Sequence, residues 1–134
     1  MENNRIRLIA YQVDEIKFDI NTNAEKNKPV RLTPQFSWGR ALNDENSHEL
    51  LALKCELFKD VEEPPFWCVV KITGEFEVSE NSDRESVHLT MLSFLIPYMR
   101  ALVSQITAVA QVKPVILPIV DVSNILASAT PSAI

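Results

Sequence analysis

His48 and His88 are the chain's two histidines, and Cys55 and Cys68 its two cysteines. Catalysis by a triad needs a nucleophile, a base and a group that orients the base. The spacing here proposes none. His48 closes a polar turn (NDENSH, Asn43 to His48), and His88 falls in a helical pattern; neither has a neighbouring cysteine or a regularly spaced acid. Both read as surface or structural residues. The cysteines make no CxxC pair, so a zinc site is not indicated. Both lie in alternating apolar segments. The first reading is small buried thiols of a reducing compartment, and the second is a disulfide between neighbouring strands. Gly39 and Gly74 are the two glycines, so no phosphate-cradling loop of the GxGxxG or Walker type is present. No HExxH or glycosidase-type carboxylate pair occurs. Glu56, Glu62, Glu63, Glu75 and Glu77 read as solvated faces. No catalytic residue, metal or cofactor is expected, and an enzyme assembled from distant positions is the minority alternative.

With no chemistry in the motifs, the apolar patterning carries the information. The 134 residues suit one domain, residues 1–134, with 127–134 expected as a loose tail. The net charge is −5 and the thirteen basic residues are scattered, which disfavours nucleic acid, whose phosphates require clustered Lys and Arg. The opening MENNRIRLIAYQVDEIKFD has no long apolar run and carries acids early, unlike a signal peptide. The most apolar stretch, Phe94 to Val122, contains Arg100, Lys113, Asp121 and three prolines. That is not the ~20 clean apolar residues of a spanning helix. A cytoplasmic protein without membrane insertion is expected.

Along the first strand, Arg5 to Ile20, apolar residues change phase. Ile6 and Leu8 are even, Ile9, Tyr11 and Val13 odd, and Ile16, Phe18 and Ile20 even again. A period of two that switches phase predicts a bulge or a strand covered on both faces. A polar loop, Asn21 to Pro29, is long for a hairpin, so the second strand need not neighbour the first. In that second strand, Val30, Leu32, Phe36 and Trp38 share a parity, with Pro34 implying an edge position or a kink. Leu51, Leu53, Cys55 and Leu57 alternate with Ala52, Lys54 and Glu56 in a third strand. Phe66, Cys68, Val70, Ile72, Gly74, Phe76 and Val78 form the clearest strand, with Trp67 and Val69 on its other face. The capping-box sequence Ser82-Asp83-Arg84-Glu85 then opens a helix. Val87, Met91, Leu92 and Leu95 recur at helical spacing, and Pro97 predicts a kink or restart. Beyond it Met99, Leu102, Val103, Ile106, Val109 and Ala110 continue the pattern. Gln111 to Pro118 reads as extended, and Asp121 caps a short helix over 121–126. Strands followed by helices give an α+β fold: a four-stranded antiparallel sheet, a long kinked helix and a short helix.

One sheet and one helix leave apolar surface uncovered, because the first and fourth strands carry apolar residues of both parities. Such surface must meet something. Oligomerisation is the plainer answer, and a groove for extended or unfolded polypeptide the sharper one.

Three segments resemble the SecB-type protein-export chaperones. Pro97-Tyr98-Met99-Arg100 with the helix after it, then Pro114 to Val122 and Ile125-Leu126, is similar to that family's C-terminal half, with Asp121 where the family usually has Asn. Asp14 to Asp19 resembles its first-strand pattern, and Gly74-x-Phe76 its fourth-strand end. The resemblance implies a SecB-like domain with a crossover after the first strand, a homo-oligomer built as a dimer of dimers, and ATP-independent holding of unfolded or partly folded client polypeptides. It implies Phe36, Trp38, Tyr98, Met99, Leu102, Val103 and Ile106 as groove-lining candidates. Core or interface remains open as an alternative for the helical ones, and core for Trp38. It also implies an acidic sheet face, Glu15 and Asp19 with Glu75 and Glu77, that would meet the motor SecA. The acid expected early in the fourth strand is replaced by Val69, and 127–134 is short and uncharged. Export, a single dedicated client such as an antitoxin, and an adaptor for a folded partner without holdase activity are the functional readings.

Overall fold

A computed structural model describes residues 6–23, 34–43, 45, 47–79, 83–110, 121–128 and 132–133. The strands are β1 (Ile6–Ile20), β2 (Pro34–Asn43), β3 (His48–Leu57) and β4 (Phe66–Val78); helices α1 (Arg84–Val109) and α2 (Val122–Ser128) follow, then a two-residue β5 (Ser132–Ala133). The sheet order is β1-β4-β3-β2-β5. The four long strands are antiparallel, and β5 adds parallel to β2. The long polar loop therefore is no hairpin: β1 pairs with β4, and the chain crosses over to β2. Asn21 fixes that geometry at the end of β1. Its backbone N–H donates to the Pro65 carbonyl at 3.1 Å, and its side chain to Pro64 O at 2.9 Å and Glu63 Oε2 at 3.2 Å.

The phase changes of β1 are two bulges. Its register with β4 shifts between Leu8 and Ala10 and again between Val13 and Glu15. Directly opposed residues point to the same side of a sheet. Ile6, Leu8, Tyr11, Val13, Ile16, Phe18 and Ile20 pair with Val78, Phe76, Gly74, Ile72, Val70, Cys68 and Phe66, which are the helix-side residues of β4. The bulges thus bring both apolar phases onto one face, and the alternative of a strand covered on both faces is not realised.

The core lies between that face and α1. Leu51, Leu53, Val70, Ile72, Phe76, Val87, Met91, Leu92, Leu95, Met99 and Val103 have no measurable exposure. Gly74 permits the close approach. An added Cβ would lie 2.9 Å from Leu95 Cδ2 and 2.7 Å from Phe76 Cε2. The helix is capped by Asp83, whose carboxylate accepts from the Ser86 N–H at 3.1 Å. The cap is thus Asp83 and not the Ser82 of the sequence motif. Pro97 sits inside a single α1; of the kink or restart expected there, the restart does not occur. Asp121 caps α2, its side chain accepting from Ser123 N–H at 3.0 Å. By length and composition alone α1 would also suit a membrane span, but its Met91, Leu95 and Met99 are buried against the sheet.

Residues 30–33 of the second strand and the extended segment 111–118 lie outside the described residues. Within the stretch expected as a loose tail, Ala127 and Ser128 close α2 and residues 132–133 form β5.

Candidate polypeptide-binding surface

The seven groove candidates do not converge within the chain. Trp38 belongs to β2 and packs on His88, ring centroids 5.2 Å apart. Tyr98 packs on Tyr11 of β1, and β4 and β3 lie between those strands. Trp38, Met99 and Val103 are buried in the core, because they point from β2 and α1 into the sheet–helix interface. These three move from groove to core. Phe36, Leu102 and Ile106 are half-buried and pack on the core's margin. Tyr98 alone of the seven is exposed.

Its surroundings define the site. On the helix side of β1, Tyr11, Val13, Ile16 and Ile20 are exposed, with Ile9 at the first bulge; across from them stand Phe94 and Tyr98 of α1. Phe94 and Tyr98 are one helical turn apart and so share a face, and Phe94 also reaches Phe76, centroids 6.1 Å apart. The helix lies chiefly over β4 and touches β1 and β3 alike, yet among the described residues these β1 side chains keep about a third to a half of their surface exposed. The result is an apolar valley beside an edge strand of 15 residues. Long, apolar open edges recruit other chains. Sequence reasoning missed Tyr11, Val13, Ile16, Ile20 and Phe94; the signal was the double phase change, which marks bulges that gather apolar residues onto one side.

The acidic candidates lie together on the opposite face. Glu15, Asp19, Glu75 and Glu77 pair with or lie among Lys71, Trp67, Ala10 and Arg7 in the β1–β4 ladder. The face is of mixed charge. Glu77 meets Arg7 at 3.1 Å and His48 Nε2 at 3.8 Å, Glu75 bonds His48 Nδ1, and Glu15 lies 3.8 Å from Lys17. A shallow depression of about 340 Å³ at the first bulge is lined by Gln12, Asp14, Asn43, Leu50, Thr73 and Glu75 among others. Asp14 accepts there from Thr73 and from Gln12, so its polar groups are mutually satisfied.

A second polar cluster joins α1 to β3. Arg84 grips the buried Glu49 with both guanidinium arms, one at 2.9 Å, which raises the arginine's pKa. Arg84 also lies 3.5 Å from His88 Nε2. Burial, then the charges of Arg84 and Arg40, lowers the His88 pKa. Cys55 and Cys68 are free thiols on adjacent strands, which settles the open alternative against a disulfide. Burial pushes them up to about 12 and about 11. Among the described residues no group of three or more His, Cys, Asp or Glu could hold a metal ion.

Four antiparallel strands, a long helix and a short helix in this order make a SecB-like fold. The chain superposes on the SecB-like chaperone Rv1957 of Mycobacterium tuberculosis, solved in complex with a ChAD peptide from the Rv1956 HigA1 antitoxin. The TM-score is 0.62 at 17 % identity, covering 87 % of this chain and 91 % of that one. It also superposes on a protein of unknown function from Streptococcus agalactiae, with a TM-score of 0.52 at 14 % identity, over 88 % of this chain and all of that one. No protein-family model matches the sequence. The uncharacterized protein MJ0357 of Methanocaldococcus jannaschii is 31 % identical over 129 residues, 92 % of this chain and 83 % of that protein. The chain belongs to the same family as MJ0357.

Proposed function

We propose that the protein is a cytoplasmic, non-enzymatic, ATP-independent chaperone that holds unfolded or partly folded polypeptide. The observation that carries this reading is the apolar valley of Tyr11, Val13, Ile16, Phe94 and Tyr98, exposed among the described residues beside an edge strand. Covering a fully exposed side chain of this kind contributes roughly 1.5–3 kcal/mol, so several half-exposed ones together hold an apolar segment without demanding one sequence. The binding needs no cofactor.

The structural neighbour's antitoxin peptide supports a dedicated client over general export. The exposed apolar side chains of β1 support a homo-oligomer, of which a dimer of dimers is the SecB-like form. A SecA contact through Glu15, Asp19, Glu75 and Glu77 gains less support, since Glu77 and Glu15 already face Arg7 and Lys17 and Glu75 already bonds His48.

The test is suppression of aggregation of a chemically denatured, unrelated protein at stoichiometric ratio and without nucleotide. A holdase lowers the light scattering. An adaptor for a folded partner leaves it unchanged.

A further inference from the structure

The two edges of the sheet differ in kind. The β1–β4 ladder breaks register twice, and bulges turn an edge away from further regular pairing. The β2–β3 ladder runs unbroken from Pro34 opposite Leu57 to Asn43 opposite His48. The outer edge of β2 therefore presents a regular row of backbone groups, the geometry that templates an added strand. On this edge the chain lays a piece of itself. Ser132 pairs with Gly39 and Ala133 with Arg40, in parallel. Among the described residues the cover is partial: β5 has two residues and β2 has ten. Parallel pairing is also the weaker kind per residue. Beside the edge, half-buried Phe36 and exposed Leu42 flank the buried Trp38 on the helix side of β2.

We propose that β5 is an intramolecular occupant of a strand-acceptor edge, and that an extended segment of client polypeptide adds to β2 when β5 leaves. This rests on the chaperone reading and gives it a second contact, on the edge opposite the Tyr11–Tyr98 valley, made through backbone hydrogen bonds. Main-chain pairing is indifferent to side-chain identity, which suits a partner defined by being unfolded. Docked β5 lowers apparent client affinity by the fraction of time that the edge is covered.

The experiment compares the full chain, a chain ended after Ser128, and the full-length Ser132→Pro, Ala133→Pro double variant, in which whichever N–H of β5 faces β2 is lost. Two quantities are read: amide hydrogen exchange at the one of Gly39 and Arg40 whose N–H faces β5, the other facing β3, and affinity for reduced, carboxymethylated lysozyme as an unfolded probe. Both altered chains should exchange this amide about threefold faster and bind the probe more tightly by about the same factor, since one uncovered fraction sets both. Bound probe should restore protection along β2. Equal affinity in all three chains, or β2 amides that stay unprotected with probe bound, overturns the proposal while leaving the chaperone reading intact. A probe bound by none of the three overturns both.

Discussion

Tyr11 of β1 and Tyr98 of α1 stack with ring centroids 4.3 Å apart and planes tilted by 30°, yet Tyr11 is 42 % and Tyr98 38 % exposed. An aromatic pair of this geometry stabilises by about 0.5–1.5 kcal/mol beyond its buried area. It ties the helix to the edge strand while keeping two ring faces available. That availability depends on where α1 sits, and α1 sits where Gly74 lets it.

Gly74→Ala places a methyl group 2.7 Å from Phe76 Cε2 and 2.9 Å from Leu95 Cδ2. Neither ring nor leucine has free space to move into, since both are fully buried. Overpacking of this kind costs about 1–3 kcal/mol. Urea denaturation should show that loss; a variant as stable as the parent would mean that helix and strand do not pack as closely as described.

Trp38 is 5 % exposed, and its buried Nε1 has no hydrogen-bond partner among the described residues. Trp38→Ala should therefore cost about 3–5 kcal/mol in stability. Trp38→Phe should cost less than about 1.5 kcal/mol, because it keeps most of the packing and removes an unsatisfied donor. A loss in Trp38→Phe well above about 1.5 kcal/mol would mean that the indole N–H has a partner in solution.

His88 gives stability a dependence on mild acid. Its folded pKa is lowered by burial first, then by Arg84 and Arg40, with Glu49 opposing. The unfolded chain therefore takes up a proton near the ordinary value of 6.5 before the folded chain does. This contribution is present above that pH and is lost as pH falls below it. A His88→Gln variant should show a flatter decline in melting temperature between about pH 7 and pH 5. An identical decline in both proteins would place the titration elsewhere.

Cys55 and Cys68 favour their neutral thiol form when folded, with pKa values of about 12 and about 11. A thiol-disulfide reagent at mildly alkaline pH attacks the thiolate. Native protein should resist labelling, while denatured protein takes up two equivalents, one per cysteine. Raised pKa values also mean that this contribution is intact below the ordinary value of 9.0 and is lost as pH rises through the folded values. Rapid labelling of native protein would show that the β3–β4 core opens readily.

Much of the fold was legible because each long strand reports its buried face by alternation. The residues 51, 53, 55 and 57, and the even residues from 66 to 76, are the helix-side core positions. The crossover was foreseeable from the length and polarity of the loop after Ile20. What alternation does not record is lateral position. Trp38, Met99 and Val103 have the chemistry of a binding surface, but whether an apolar side chain meets the core or the solvent depends on where the helix lies across the sheet. That is set by close contacts such as Gly74 with Leu95. The valley was hidden for a related reason: Tyr11 and Val13 are out of phase with Ile16 and Phe18 until the bulges bring them into line. The pairing of Ser132–Ala133 with β2 has no local signature at all, because two small residues carry no periodicity.

The most direct measurement is the affinity of an unfolded probe, such as reduced and carboxymethylated lysozyme, for the parent protein and for the Tyr11→Ser, Tyr98→Ser double variant. With both rings partly solvated, the double variant should lose only about 1–2 kcal/mol of stability. Its probe affinity should fall about tenfold or more, a loss of at least about 1.4 kcal/mol in binding. Unchanged affinity in a variant that remains folded would contradict the account, since the open valley between β1 and α1 would then hold nothing.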